Sequence, residues 1–240
     1  MKKILISLMT IAMVGALVGG GVFAYFSDVE TSTGNTFTAG TLNLTDIISG
    51  TCSVPSKVTV TEQNDGLNDN VVFTTLAPGN SGTITWVLSN SGNLAGTLTI
   101  VSTVTFSDVD ANEPETAVTT PHANNGGGNG DLDEFVGVTL QRGVGTDQGN
   151  AEGLFAYIYG SASYYKPFSG LEAILDAESQ AMAASGGNDT VVYKLSWIIA
   201  SDIVGAGPDG DFGTVDDVAA DDNIIQSDNA TADITFTLTQ

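Results

Sequence analysis

Apolar residues recur at every second position through most of the chain after residue 40. Four runs show the alternation, and the apolar members of each are Ile84, Trp86 and Leu88; Leu98, Ile100, Val104 and Phe106; Val191, Tyr193, Leu195, Trp197 and Ile199; and Ile234, Phe236 and Leu238. A period of two places alternate side chains on opposite faces of an extended chain. Each run therefore predicts a β-strand with one buried face.

Shorter runs of β-forming residues predict further strands at 42–47, 57–61, 71–75, 135–141 and 154–159. The strand containing Trp86 and the strand containing Ile100 are separated by the turn-forming sequence Ser-Asn-Ser-Gly-Asn. Because such sequences commonly join neighbouring antiparallel strands, we expect these two strands to form a hairpin.

One segment, residues 171–184, has helical periodicity. Leu171, Ile174, Leu175 and Met182 lie on one stripe, Ser169 precedes the segment as the expected N-cap, and two glycines follow it. Many short strands with a single helix predict an all-β fold. We expect an antiparallel, jelly-roll-like β-sandwich with one short crossover helix and long surface loops.

The first 24 residues predict a cleaved signal peptide. Lys2 and Lys3 precede a long uncharged segment, and small residues place the cleavage between Ala24 and Tyr25. An uncleaved anchor helix is the alternative, because the uncharged run is long enough to span a bilayer. The predicted organisation is a signal peptide at 1–24, an N-terminal strand at 25–40 and a β-sandwich domain at 41–240.

Acidic residues greatly outnumber basic ones. The chain has 28 aspartate and glutamate residues against 6 lysine and arginine residues, giving a formal net charge of −22. Such a charge repels nucleic acid and anionic membranes, so we expect no nucleic-acid partner and membrane contact only through the uncleaved precursor. Cys52 is the single cysteine, which excludes an intramolecular disulfide.

The sequence contains no recognisable catalytic constellation. His122 is the single histidine, it lies in a loop rich in glycine and asparagine, and there is no His-Glu-x-x-His motif. We therefore expect no enzyme activity and no catalytic residues. Three Asn-x-Thr sequons could carry glycans outside the cell, at Asn43, Asn188 and Asn229.

The segment 207–223 concentrates carboxylates between glycines. Its aspartates are Asp209, Asp211, Asp216, Asp217, Asp221 and Asp222. Calcium takes about six to eight oxygen ligands in flexible geometry, so these aspartates form a candidate Ca²⁺ site. The alternative is a solvated acidic loop that binds no ion.

Residues 25–40 have the pattern of an extended strand at the free end of the mature chain. The face that we expect to be inserted into a neighbour carries Val29, Thr31, Thr33, Phe37 and Ala39. A free strand of this kind can pair with the exposed sheet edge of another copy, and repeating that contact builds a filament. The alternatives are pairing within its own sheet and an unpaired leader.

The sequence AYFSDVETSTGNTFTAGTLNL at 24–44 resembles the N-terminal signature of the TasA/camelysin family, which includes biofilm matrix fibre proteins and archaeal bundling pilus subunits. The segments 76–100 and 224–240 are also similar to that family. The resemblance implies a jelly-roll subunit, released by a signal peptidase, whose N-terminal strand completes the fold of the next subunit. The name camelysin also implies a casein-cleaving metalloprotease, for which the sequence offers no recognisable zinc ligands.

We therefore expect a secreted structural subunit of an extracellular filament that polymerises by donor-strand complementation. Its expected partners are other copies of itself and, during export, a signal peptidase. The alternatives are a calcium-binding surface protein, either monomeric or anchored in the envelope, and a camelysin-like metalloprotease.

Overall fold

The computed structural model describes residues 40–53, 57–63, 67–108, 132–200, 204–205, 208–214, 217–219, 225 and 228–240, together with Met9. The chain separates into two units, residues 1–39 and residues 40–240. The second unit contains all the strands described below.

Strands dominate the described residues. They are β1 Leu44–Cys52, β2 Val58–Gln63, β3 Asn68–Thr74, β4 Ser81–Asn90, β5 Gly96–Asp108, β6 Gly137–Gly145, β7 Ala156–Tyr159, β8 Lys166–Pro167, β9 Ser179–Met182, β10 Thr190–Ile198, β11 Val204–Gly205, β12 Val218–Ala219 and β13 Asp228–Thr239. Between residues 132 and 200 the α-helices are short: α1 Leu132–Phe135, α2 Gln148–Glu152 and α3 Leu171–Asp176, the last preceded by a 3-10 turn at Phe168–Gly170. No helix among the described residues is long and apolar enough to cross a membrane.

Two antiparallel sheets contain the main strands. Sheet 1 has the order β1-β4-β10-β6-β7, with β8 also paired to β6, and sheet 2 has the order β2-β3-β13-β5-β9. The short strands β11 and β12 pair only with each other in the described residues. The prediction of an all-β antiparallel sandwich is confirmed.

The core lies between the inner faces of the two sheets. Phe73 on β3 of sheet 2 meets Trp197 on β10 of sheet 1, with ring centroids 5.5 Å apart. The inward face predicted for β10 is confirmed, because Val191, Tyr193 and Leu195 are each at most 3% exposed, although Val192 is also buried on the outer face, against Val87 and Ala151. Burial of one large apolar side chain contributes about 1.5–3 kcal/mol, so these alternating positions supply most of the force that holds the sheets together.

The predicted hairpin is wrong. Strand β4 pairs with β1 and β10, whereas β5 pairs with β13 and β9, so the turn between them carries the chain from sheet 1 to sheet 2. The buried Asn90 fixes this crossing, because its Nδ2 donates to the carbonyl oxygens of Leu94 and Ala183, each at 2.8 Å. A turn of this composition can join two strands of the same sheet or two strands of different sheets. Here β1 and β10 occupy both edges of β4, so β5 cannot pair with it and joins the other sheet.

The predicted helix is in the expected crossover position but is too long. Helix α3 lies between β8 of sheet 1 and β9 of sheet 2, and it ends at Asp176. Met182 is buried as part of strand β9, which pairs with the edge of β5. Ser169 is not the N-cap, because it lies in the 3-10 turn and Gly170 caps α3 without a side-chain bond. Pairing with the edge of β5 therefore decides the conformation of the second half of this segment.

Candidate functional site

The predicted donor strand lies outside the described residues. This applies to its face of Val29, Thr31, Thr33, Phe37 and Ala39 and to the cleavage position between Ala24 and Tyr25. These assignments stay predictions. The described residues do include the point at which this segment joins the sandwich and the strands that could receive it.

The chain enters the sandwich at a corner that we call the upper end, formed by residues 41–43 and 90–94. The amide N–H of Ser91 donates to the Asn43 carbonyl at 2.8 Å, and that of Leu94 donates to the Thr41 carbonyl at 3.2 Å. Residues 41–43 thus precede β1 and run beside the turn that follows β4. A Cβ on Gly92 would lie 2.2 Å from the Thr41 carbonyl oxygen, so the close approach of the two segments requires glycine there.

One flank of the sandwich, between β7 and β9, is closed by side chains. Arg142 on β6 of sheet 1 forms an ion pair at 2.7 Å with Glu178, which precedes β9 of sheet 2. The hydroxyl of Tyr193 donates to the same Glu178 oxygen at 3.0 Å. Burial, with the neighbouring Glu178 carboxylate, raises the pKa of Tyr193 far above its ordinary value. This network bonds the two sheets together at the flank.

Helix α3 caps the edge of β5 on this same flank. The Asp176 carboxylate accepts from the amide N–H of Ser102 at 2.7 Å, and the Glu172 carboxylate accepts from the amide N–H of Val104 at 2.9 Å. These carboxylates occupy the positions that the carbonyl groups of a further strand would take. Covering an edge in this way prevents it from pairing with another chain.

The opposite flank, between β1 and β2, carries a groove, whose floor is closed where a Cβ on Gly50 of β1 would lie 3.2 Å from Val60 Cγ2 of β2. A groove of about 700 Å³ is lined there by Ile48, Ser49, Gly50, Thr51 and Cys52 of β1, Val58 and Val60 of β2, and Thr83 and Ile84 of β4. The side chains of Ile48, Val58 and Val60 contact the core but are only partly buried. In the described part of the chain, no strand pairs with the outer edge of β1 or β2. Apolar side chains and two edge strands of the described sheets therefore border the same groove.

A second depression, of about 540 Å³, continues past Cys52 at the lower end of the sandwich, which we define by Cys52, Ser53, Val58 and Ser81. Trp197 lines it, and the buried indole Nε1 of Trp197 has no hydrogen-bond acceptor among the described residues. The sequence analysis identified none of these groove residues. They have the pattern of ordinary strand residues, and only the sheet order shows that they border this flank.

A comparison with protein-family models matches residues 1–120 to the family described as camelysin metallo-endopeptidase. The chain belongs to the camelysin family. The family resemblance drawn from the sequence is confirmed. Comparisons with curated proteins and with solved structures gave no match.

The family description names a metallo-endopeptidase, an enzyme that needs a bound metal ion. The question for this camelysin-family chain is therefore whether its residues could hold one. Within the described ranges there is no group of three or more histidine, cysteine, aspartate or glutamate residues that could hold a metal ion. His122 lies outside the described residues. The expectation of no enzyme activity stays a prediction.

In the acidic loop of this family member, three of the predicted calcium ligands are described. Asp209 accepts from the Asp211 amide at 2.9 Å, and Asp217 accepts from the Gly213 amide at 2.8 Å. Asp211 forms an ion pair with Lys166, and the hydrogen bond between the two side chains raises the pKa of the Lys166 amine. These carboxylates therefore hold the loop in shape. The remaining predicted ligands, Asp216, Asp221 and Asp222, lie outside the described residues.

The three sequons of this camelysin-family chain differ in exposure. Asn43 and Asn188 are exposed, and the Asn43 amide donates to the Ser91 hydroxyl at 2.6 Å. Asn229 lies within β13 opposite Thr74 and Ser107 and is partly buried. Asn43 and Asn188 are thus more accessible to a glycosylating enzyme than Asn229.

Proposed function

We propose that this camelysin-family chain is a secreted structural subunit of an extracellular filament. In this proposal, residues 25–40 of one copy complete the sandwich of the next copy by donor-strand complementation. The observation that carries the proposal is the difference between the flanks. Side chains close the flank between β7 and β9, whereas the flank between β1 and β2 presents a groove and two strand edges beside which the described residues place no further strand.

The groove offers an incoming strand both kinds of stabilisation that it needs. Its apolar wall, which includes Ile48, Val60 and Ile84, matches the apolar residues Val29 and Phe37 of the leader. Each of these two side chains would contribute about 1.5–3 kcal/mol on burial. Val29 and Ala39 would be about 33 Å apart along a strand, so the leader would fill the groove, which spans about 13 Å between Ile48 and Cys52, and continue along the flank beyond it. Strand β2, at the edge of sheet 2, would supply the backbone hydrogen bonds.

The way in which the chain enters the sandwich favours donation to another copy. Residues 41–43 are bonded to the turn after β4 at the upper end, whereas the β1 residues that line the groove, 48–52, lie towards the lower end. To fill the groove of its own subunit, the leader would have to reverse direction within the few residues before Thr41. Donation to a neighbour requires no reversal, and a contact of this heterologous kind does not close on itself.

Negative-stain electron microscopy of two chains, one beginning at Tyr25 and one at Thr41, tests the proposal. We expect filaments only from the longer chain, and soluble monomers that are less stable from the shorter one. Filaments from both chains, or from neither, would overturn the proposal. Parallel samples with and without calcium separate an effect of the ion on assembly from an effect of the leader.

A second candidate function, metal-dependent proteolysis, is favoured by the description of the family. Its test is casein digestion by the purified chain with and without a chelator, together with the His122→Ala variant. Cleavage that disappears with the chelator and in the variant would establish this activity. Cleavage unaffected by both treatments would indicate a contaminating protease.

A further inference from the structure

We infer that the donor strand adds to sheet 2, beside β2 and antiparallel to it, with Ala39 at the lower end of the groove and Val29 towards the upper end. This inference rests on the proposed function. It adds the direction of the strand and the strand with which it pairs.

Strands β1 and β2 border the groove in opposite directions. Strand β1 begins at the upper end, where Leu44 lies opposite Asn90, and finishes at the lower end, where Cys52 lies opposite Gly82. Strand β2 begins with Val58 at the lower end of the same groove and runs upwards. A strand added along this flank must therefore be parallel to one of these strands and antiparallel to the other.

The upper end, where residues 25–40 join their own subunit, determines the direction of the donor strand. Gly40 and residues 41–43 lie beside residues 91–94 at that end, so the donor strand is joined to its own subunit there. In a filament whose subunits share one orientation, this leader enters the next copy through the lower end of that copy. Ala39 then stays at the lower end while Val29 reaches upwards, which makes the leader parallel to β1 and antiparallel to β2.

The pairing pattern of the sandwich favours β2 as the partner. Every strand pair in the described residues is antiparallel. Antiparallel pairing is slightly more stable per residue than parallel pairing. The outward side chains also match, because Thr59 and Thr61 of β2 are exposed and the outward face of the leader carries Thr36 and Thr38. Cross-strand threonine pairs stabilise neighbouring strands.

The single cysteine of the chain, Cys52, gives a direct test of the direction. A disulfide requires Cα atoms within about 7 Å, whereas Ala39 and Thr31 would be separated by about 26 Å along a strand. The two variants Ala39→Cys and Thr31→Cys are prepared in the chain beginning at Tyr25, assembled and oxidised with copper phenanthroline. We expect Ala39→Cys to give a ladder of covalent oligomers on a non-reducing gel and Thr31→Cys to remain monomeric on that gel.

The outcomes separate this inference from the proposed function. A ladder from Thr31→Cys and none from Ala39→Cys would reverse the direction. Filaments that depend on the leader but give no ladder from either variant would overturn the inference and leave the proposed function standing. Failure of the unmodified chain beginning at Tyr25 to form filaments would instead overturn the proposed function.

A second pair of variants tests the choice of edge, in a Cys52→Ser background. Thr38→Cys is combined either with Thr59→Cys on the outer face of β2 or with Thr51→Cys on the outer face of β1. We expect a covalent ladder only from the combination with Thr59→Cys. The same two combinations are then repeated with Thr36→Cys, at the neighbouring outward residue, in place of Thr38→Cys. A ladder from the Thr51→Cys combination, or from none of the combinations, would contradict pairing with β2.

Discussion

The ring of Phe73 stands edge to face against the indole of Trp197, with an interplanar angle of 89° and centroids 5.5 Å apart. Phe73 also meets Phe168 at 5.3 Å, so it joins β3 of sheet 2 to both β10 of sheet 1 and the turn before α3. Because aromatic pairs of this geometry add to the gain from burial, Phe73 holds a central position in the core.

We expect Phe73→Ala to lower the free energy of unfolding by about 3–5 kcal/mol, through lost burial and the cavity that remains. Val101→Ala is the matched control, since Val101 is 61% exposed on the outer face of β5 and should change stability by less than about 0.5 kcal/mol. Urea unfolding of the chain beginning at Thr41 measures both values. Similar losses in the two variants would contradict this account of the core.

Alkaline pH should destabilise the sandwich through Tyr193. Burial raises the pKa of Tyr193 in the folded state, so above about pH 10 the unfolded chain loses this proton while the folded chain keeps it. The contribution of the neutral tyrosine is complete below pH 10 and declines by about 1.4 kcal/mol per pH unit above it. Unfolding measured from pH 8 to pH 11 should show this decline, which Tyr193→Phe should reduce and Tyr157→Phe should leave unchanged. A decline of equal slope in all three chains would exclude Tyr193 as its source.

Charge placed on the inserted face of the leader should block assembly. A carboxylate at Phe37 would enter an apolar groove without a partner, whereas one at Thr36 would face outwards. In the chain beginning at Tyr25, Phe37→Asp should therefore remove filaments, and Thr36→Asp should leave them. Electron microscopy and sedimentation give the result, and assembly of Phe37→Asp would contradict the assignment of the inserted face.

Charge placed in the groove should affect only the receiving side of a subunit. Val60 lines the groove, whereas Thr61 on the same strand is exposed. A Val60→Asp chain can still donate its leader, so we expect it to shorten filaments when mixed with the unmodified chain. Thr61→Asp is the control and should not shorten them. A Val60→Asp chain that forms filaments alone would show that the groove is not the acceptor.

The acidic loop provides the test of calcium binding. If the predicted site exists, calcium should raise the melting temperature of the chain, and Asp209→Asn together with Asp217→Asn should remove that rise. These variants also weaken the hydrogen bonds to the amides of Asp211 and Gly213, which lowers the melting temperature by itself. The quantity to compare between the chains is therefore the rise in melting temperature that calcium causes, and not the melting temperature itself. No rise in the unmodified chain would favour the alternative of a solvated loop. A rise without any change in size would support the calcium-binding surface protein.

The sequence by itself determined the strands and their buried faces. Alternation of apolar and polar residues is a local property, and it correctly placed Tyr193, Trp197 and Phe236 in the core because the side chains of a strand point to its two faces in turn. The motifs at the start of the chain likewise indicated the camelysin family, which the family comparison confirmed.

Only the tertiary structure decided which strands are neighbours. The turn after β4 crosses between sheets because Asn90 bonds to Ala183, a residue 93 positions away, and residues 179–182 form a strand because the edge of β5 lies beside them. The groove depends on the same long-range order. Ile48, Val58 and Val60 border it because β1 and β2 are outermost in their sheets, and the pairing order of strands distant in sequence sets that position.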